Sequence, residues 1–174
     1  MASYGTPHTM DIKDLPAPSF PDRESYLSYC LAVADKMRRD IEVPAFDLHR
    51  KAIAAGGDMV IPTSWGGVHI LSYQHPEVEK FLVVDQGCFL AFEKHAEKIE
   101  TLFGEEGCGV LVYRCEESDQ LKAEMIEPGW TRTLRPGQEH TIIALSNLLV
   151  RERSIDPKGM DQDLIFIFMP TEAK

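Results

Sequence analysis

Residues 87–107 read GCFLAFEKHAEKIETLFGEEG, and Glu93, His95, Lys98 and Glu100 fall within eight consecutive positions of that stretch. Two carboxylates, an imidazole and an ammonium group at this density suit either metal ligation or a solvated, charged turn. The period of a β-strand decides which side chains meet. On an extended chain Phe89, Ala91, Glu93 and His95 share one face, and Cys88, Leu90, Phe92 and Lys94 share the other. Glu93 and His95 therefore project together beside small and apolar neighbours. Glu100 opens the next strand, from which a hairpin partner would return it alongside. A carboxylate on an apolar face is costly unless it is paired or bound to a cation. A divalent ion is the simplest way to hold two carboxylates and an imidazole together, with Glu97 the competing carboxylate if Glu93 turns away.

Other residues could do chemistry further along. In LLVRERS, Glu152 shares strand parity with Leu148, Val150 and Ser154, while Arg151 and Arg153 share the opposite face. An acid on an apolar face suits proton transfer when burial raises its pKa. The alternative is an edge-strand acid paired with an arginine. Lys98 is either a surface lysine or the partner of a developing oxyanion. His69 and His75 are expected to be structural. Trp130 and Tyr113 could stack on a sugar ring, although barrel aromatics mostly belong to the core. GEEGCG reads as a hairpin turn, because its glycines lack the helix start that a phosphate cradle needs.

The elements that must position these residues follow from the pattern of the chain. Residues 1–21 hold four prolines and little periodicity, so they read as a flexible N-terminal arm. Residues 22–57 form a helical segment. Asp22 can cap a helix on which Tyr26, Tyr29, Cys30, Val33 and Met37 recur at helical spacing, and a second short helix runs from Pro44 to a glycine stop. From residue 58 to 174 the grammar is that of many short strands parted by turns, an antiparallel sandwich or barrel. The fold class expected is all-β in the main, with the helices packed outside one barrel.

Composition narrows the function. A chain of 174 residues, 44% hydrophobic, supports a single core. Its formal charge of −10 with dispersed basic residues argues against nucleic acid and against an anionic membrane surface. No apolar run approaches the roughly 20 residues of a membrane span, and the N-terminus lacks the grammar of a signal peptide. Cys30, Cys88, Cys108 and Cys115 show no CxxC spacing and read as free thiols. A cytoplasmic location is the expectation.

Stated as spacing, Gly87, five residues, Glu93-x-His95, four residues, Glu100, six residues and Gly107 resemble the first signature of the cupin superfamily, with glutamate in place of its first histidine. GWTRTLRPGQEHTIIALSN resembles the second signature through Gly129, Pro136-Gly137 and His140. Arg135 stands where the usual proline would be, and Ala144 where asparagine often follows. AVADKMRRDIEVPAFD, the strand entering the EKHAEKIE hairpin, and LLVRERS before an acidic turn are similar to D-lyxose isomerases. Type II mannose-6-phosphate isomerases resemble the chain more distantly. The resemblance implies a cupin double-stranded β-helix, or jelly-roll, barrel with one divalent metal ion (Mn, Zn, Fe or Co). It places the ligands on Glu93, His95, Glu100 and His140, and the catalytic pair on Glu152 and Lys98. It further implies aldose–ketose isomerisation of a small sugar through a cis-enediol, and a homodimer. A mononuclear iron dioxygenase and a non-catalytic sugar- or metal-binding cupin are the alternatives.

Overall fold

The computed structural model describes residues 9–11, 20, 22–37 and 39–168. The elements in chain order are β1 (Thr9–Asp11), α1 (Arg23–Met37), α2 (Pro44–Ala55), β2 (Val60–Thr63), β3 (Gly66–Gln74), β4 (Glu77–Val84) and β5 (Phe92–His95). Then follow β6 (Ile99–Glu106), β7 (Gly109–Arg114), β8 (Leu121–Ile126), β9 (Thr131–Leu134), β10 (His140–Ala144), β11 (Leu148–Ile155) and β12 (Leu164–Phe168).

The helices start where local chemistry lets them. The Asp22 carboxylate accepts the Ser25 backbone N–H at 2.7 Å, which caps α1. Pro44 occupies the first turn of α2, where a missing N–H costs nothing, and the Gly56 N–H closes its end on the Ile53 carbonyl. Tyr26, Tyr29, Cys30 and Val33 are the buried stripe of α1. They join Phe92, Val110, Val112 and Ile143 in one cluster. Phe46 and Ile53 of α2 pack instead on Val83 and Leu149.

The strands form two antiparallel sheets of six, in the orders β1-β8-β7-β10-β5-β12 and β2-β3-β4-β11-β6-β9. From β4 onward the chain changes sheet at every connection except β7 to β8, which stays within the first sheet. Burial alternates accordingly: Val68, Leu82, Leu102, Leu111, Ile142 and Val150 from both sheets share the central core. The helices thus cover outward-facing apolar residues while the sheets close on each other.

Three expectations are corrected. GEEGCG is not a hairpin turn, since β6 and β7 lie in different sheets. Gly107 there has φ of 80°, and a Cβ on it would sit 2.0 Å from the Asn147 carbonyl oxygen, so the crossing is clamped tightly. Nor do β5 and β6 form a hairpin, and Glu100 reaches the site from the opposite sheet. Within the stretch expected as an arm, Thr9–Asp11 forms an edge strand on β8, whose backbone groups it satisfies. Phe20 packs edge-on against Tyr26, Tyr29, Phe92 and Phe168. Apart from Thr9–Asp11 and Phe20, residues 1–21 lie outside the described residues.

Candidate metal centre

Glu93 and His95 come from β5 and His140 from β10, where His140 is the register partner of Glu93. One ligand atom from each of these three side chains lies within 4.8 Å of the others. Glu100, from β6 in the opposing sheet, brings Oε1 to 2.8 Å from His140 Nε2 and Oε2 to 3.9 Å from His95 Nε2. The convergence is therefore across the two sheets.

The face pattern that delivers Glu93 is not a simple alternation. Phe89 pairs with Ile143 whereas Glu93 pairs with His140, so the three residues between them on one strand oppose two on the other. This bulge breaks parity before β5. Phe89 packs with Phe92 under α1, and Leu90 turns to the central core. Ala91, Glu93 and His95 keep the expected common face and line one cavity. The Leu90 carbonyl, displaced by the bulge, accepts from Tyr26 Oη at 2.7 Å and Thr141 Oγ1 at 2.8 Å.

Hydrogen bonds fix both imidazoles. His95 Nδ1 lies 2.9 Å from Asp163 Oδ1, and His140 Nδ1 lies 2.9 Å from the Gln138 carbonyl. Both partners only accept, so each Nδ1 carries the proton and each Nε2 lone pair is left for the site. Those lone pairs face carboxylates. Glu100 Oε1 is buried without a hydrogen bond, despite His140 Nε2 at 2.8 Å. Such a set calls for protons or a cation. Burial would lower the His140 pKa, but Glu100 and Glu93 outweigh it and lift it to about 9. Burial pushes Glu93 up to about 7, with His140 opposing. Glu100 is held well below the usual carboxylate range by Lys98 and His140, against the effect of burial. Two imidazole nitrogens and two carboxylates with an orphaned oxygen fit a divalent transition metal.

Beside this cluster lies a buried ionic network. Lys98 Nζ contacts Glu100 at 3.0 Å, Glu152 at 2.7 Å and Asp161 at 2.6 Å. Lys80 Nζ contacts Asp161 at 2.6 Å and Glu152 at 3.4 Å. Burial disfavours the Lys98 ammonium, yet the three carboxylates raise its pKa well above the ordinary value. Glu152 is thus neither a lone acid on an apolar face nor the partner of an arginine on an edge strand. It sits on β11, between β4 and β6, sandwiched by two lysines. Lys98, expected to meet an oxyanion, has three N–H groups and three carboxylate partners already. Its contact with Glu152 makes it a holder of that carboxylate.

Sequence reasoning placed Glu93, His95, Glu100, His140, Lys98 and Glu152, and all six line the same cavity. Glu97 turns away and pairs with Lys158 at 3.3 Å. Trp130 and Tyr113 belong to the central core, where Arg132 covers the Tyr113 ring at 3.9 Å. His69 pairs with His49 at 2.9 Å, away from the cavity lining. Missed were Lys80, Asp161 and Asp163. Lys80 shares parity with Val78, Leu82 and Val84 on β4, a signal as clear as that of Glu152. The aspartates lie in the IDPKGMDQD turn, where Asp156 accepts the backbone N–H groups of Gly159 and Asp161. Asp163 also accepts the backbone N–H groups of Glu97 and Lys98, both at 2.7 Å.

The cavity holds about 350 Å³. Its charged end is formed by the six residues above with Lys80 and Asp161. Val68, Leu82, Leu90, Leu102 and Ile142 make apolar walls, and Thr63, Ser64, Trp65 and Phe166 are among the other lining residues.

Solved structures share this architecture. CapF, the capsular polysaccharide assembling protein of Staphylococcus aureus, superposes with a TM-score of 0.56 at 15% identity over 63% of this chain and 32% of its own. Bacillus subtilis oxalate decarboxylase, an enzyme with Mn(II) centres, gives 0.53 at 12% identity over 63% and 30%. Procruciferin, the 11S globulin of Brassica napus, gives 0.52 at 10% over 62% and 28%. All three are cupin-fold proteins, and the chain has the cupin jelly-roll fold. The aligned part is about a third of each neighbour's length. No family model matches the sequence, and no curated protein matches it.

Proposed function

We propose that the protein is a metal-dependent aldose–ketose isomerase acting on a small sugar of the D-lyxose or D-mannose kind. The observation that carries this reading is the placement of a buried carboxylate, Glu152, in one cavity with the Glu93, His95, Glu100 and His140 cluster. A divalent ion held by those four residues would polarise a substrate carbonyl and acidify the adjacent C–H. Glu152 takes the proton from the hydroxyl-bearing carbon beside the carbonyl and returns it to the former carbonyl carbon, while the hydroxyl proton passes to the former carbonyl oxygen, with a cis-enediol between aldose and ketose. Lys98 and Lys80 fix the Glu152 carboxylate in place, so little reorganisation accompanies the transfer. Asp163 holds His95 in the tautomer that offers Nε2 to the ion. A cavity of about 350 Å³ falls in the range of small-ligand sites. The resemblance of AVADKMRRDIEVPAFD, the strand entering EKHAEKIE, and LLVRERS with its acidic turn to D-lyxose isomerases supports the same reaction.

Protein loaded in turn with Mn²⁺, Fe²⁺, Co²⁺ and Zn²⁺ should convert at least one pentose or hexose aldose to its ketose without oxygen. Chelation should abolish the conversion. If no metal supports conversion of any sugar, the reading fails. Oxygen uptake with Fe²⁺ in its place would assign dioxygenase chemistry to the same residues.

A further inference from the structure

The cavity has a wall that the proposed chemistry leaves unused, the turn from β2 to β3. Thr63, Ser64 and Trp65 all line it. Thr63 Oγ1 is buried and has no hydrogen-bond partner among the described residues. Such an atom costs stability unless something arrives to satisfy it. Lys98 has three carboxylate partners for its three N–H groups and Lys80 is held by Asp161 and Glu152, so Thr63 offers an incoming hydroxyl a partner outside these ion pairs. Trp65 is half-buried, packed against the central core on one side, and with Phe166 it is one of two aromatic carbocycles in the lining.

The turn is also held rigidly. The Trp65 carbonyl accepts the Asp85 N–H at 2.8 Å. Gly66 has φ of 138°, and a Cβ there would sit 2.0 Å from the Val83 carbonyl oxygen. The backbone that follows the tryptophan is therefore pinned against the end of β4 and the residue after it. A fixed aromatic face beside an unpaired hydroxyl suits a polyhydroxylated ring or chain, with C–H groups over the indole and one hydroxyl on the threonine.

We propose that Thr63 and Trp65 form the sugar-recognition subsite of the cavity, which rests on the isomerase reading for the class of substrate. Thr63 exchanges a hydrogen bond with a substrate hydroxyl remote from the reacting carbons, and Trp65 stacks on the carbon skeleton.

The chain has two tryptophans, and Trp130 is in the core, so a ligand-dependent fluorescence change reports on Trp65. Mn²⁺-loaded protein is titrated with D-lyxose, D-mannose and the unreactive polyol D-mannitol. The expected result is a saturable quench that disappears in Trp65→Phe. In steady-state assays Thr63→Val should raise KM about tenfold with kcat within about twofold, the signature of lost uniform binding, and Thr63→Ser should restore it. Circular dichroism of each variant checks folding, and Thr63→Ser keeps the test informative if valine disturbs the turn. Turnover with an unchanged KM in Thr63→Val and a quench that survives Trp65→Phe overturns the subsite and leaves the isomerase reading standing. A Trp65-dependent quench without turnover supports the subsite and removes the isomerase. Neither quench nor turnover overturns both.

Discussion

Glu152 and Asp163 show how one carboxylate and another differ by what they touch. Glu152 contacts two ammonium groups and no proposed ligand. Glu152→Gln should therefore leave metal content near that of the wild type while turnover falls by about 100-fold or more, read by metal analysis and initial rates on the same samples. Asp163 acts through His95. Asp163→Asn should weaken metal affinity by about 10-fold to 100-fold, measured by competition with a chelating dye, because Nδ1 loses its anionic acceptor. Protons compete for the same site. In the metal-free protein His140 holds a proton below about 9, and Glu93 does so below about 7. A metal must displace the first proton at neutral pH and both under acid conditions. Apparent affinity should thus fall by about tenfold per unit as pH drops from about 9, and more steeply below about 7. A pH-independent titration between pH 6 and 9 would show that His140 is not a ligand. Glu93 and His95 were legible because two-residue spacing puts them on one face. Asp163 was not, since its partner lies 68 positions away and no local period links them.

At the level of elements, the helix caps, the strand-rich region and the buried parity of β11 were readable from spacing alone. The sheet to which each strand belongs was not. A short turn such as GEEGCG is compatible with a hairpin or with a crossing between sheets, and only long-range pairing of β6 with β11 and of β7 with β10 decides. The bulge before β5 is hidden for the same reason: it exists only relative to β10. Gly107 tests the crossing. Gly107→Ala would place a methyl in van der Waals overlap with Asn147 at a positive φ, so unfolding in urea should shift by about 2 kcal/mol or more. A shift under about 0.5 kcal/mol would mean that the β6–β7 crossing is looser than this structure has it.

Across the whole molecule, the apolar stripe of α1 (Tyr26, Tyr29, Cys30 and Val33) is spent inside the chain. A homodimer remains a proposal and must use another surface; sedimentation velocity tests it. The metal centre is itself a property of the whole molecule, because Glu93, His95 and His140 belong to one sheet and Glu100 to the other. An ion bound there ties the two sheets together and adds to stability by mass action. Calorimetric titration of metal-stripped protein with Mn²⁺ at pH 8 tests this most directly. One ion should bind per chain, and His95→Ala, His140→Ala and Glu100→Gln should each abolish or severely weaken that binding while Glu97→Gln leaves it unchanged. The absence of a saturable site in the wild type, or undiminished binding in the His95→Ala/His140→Ala double variant, would contradict a metal centre at this position.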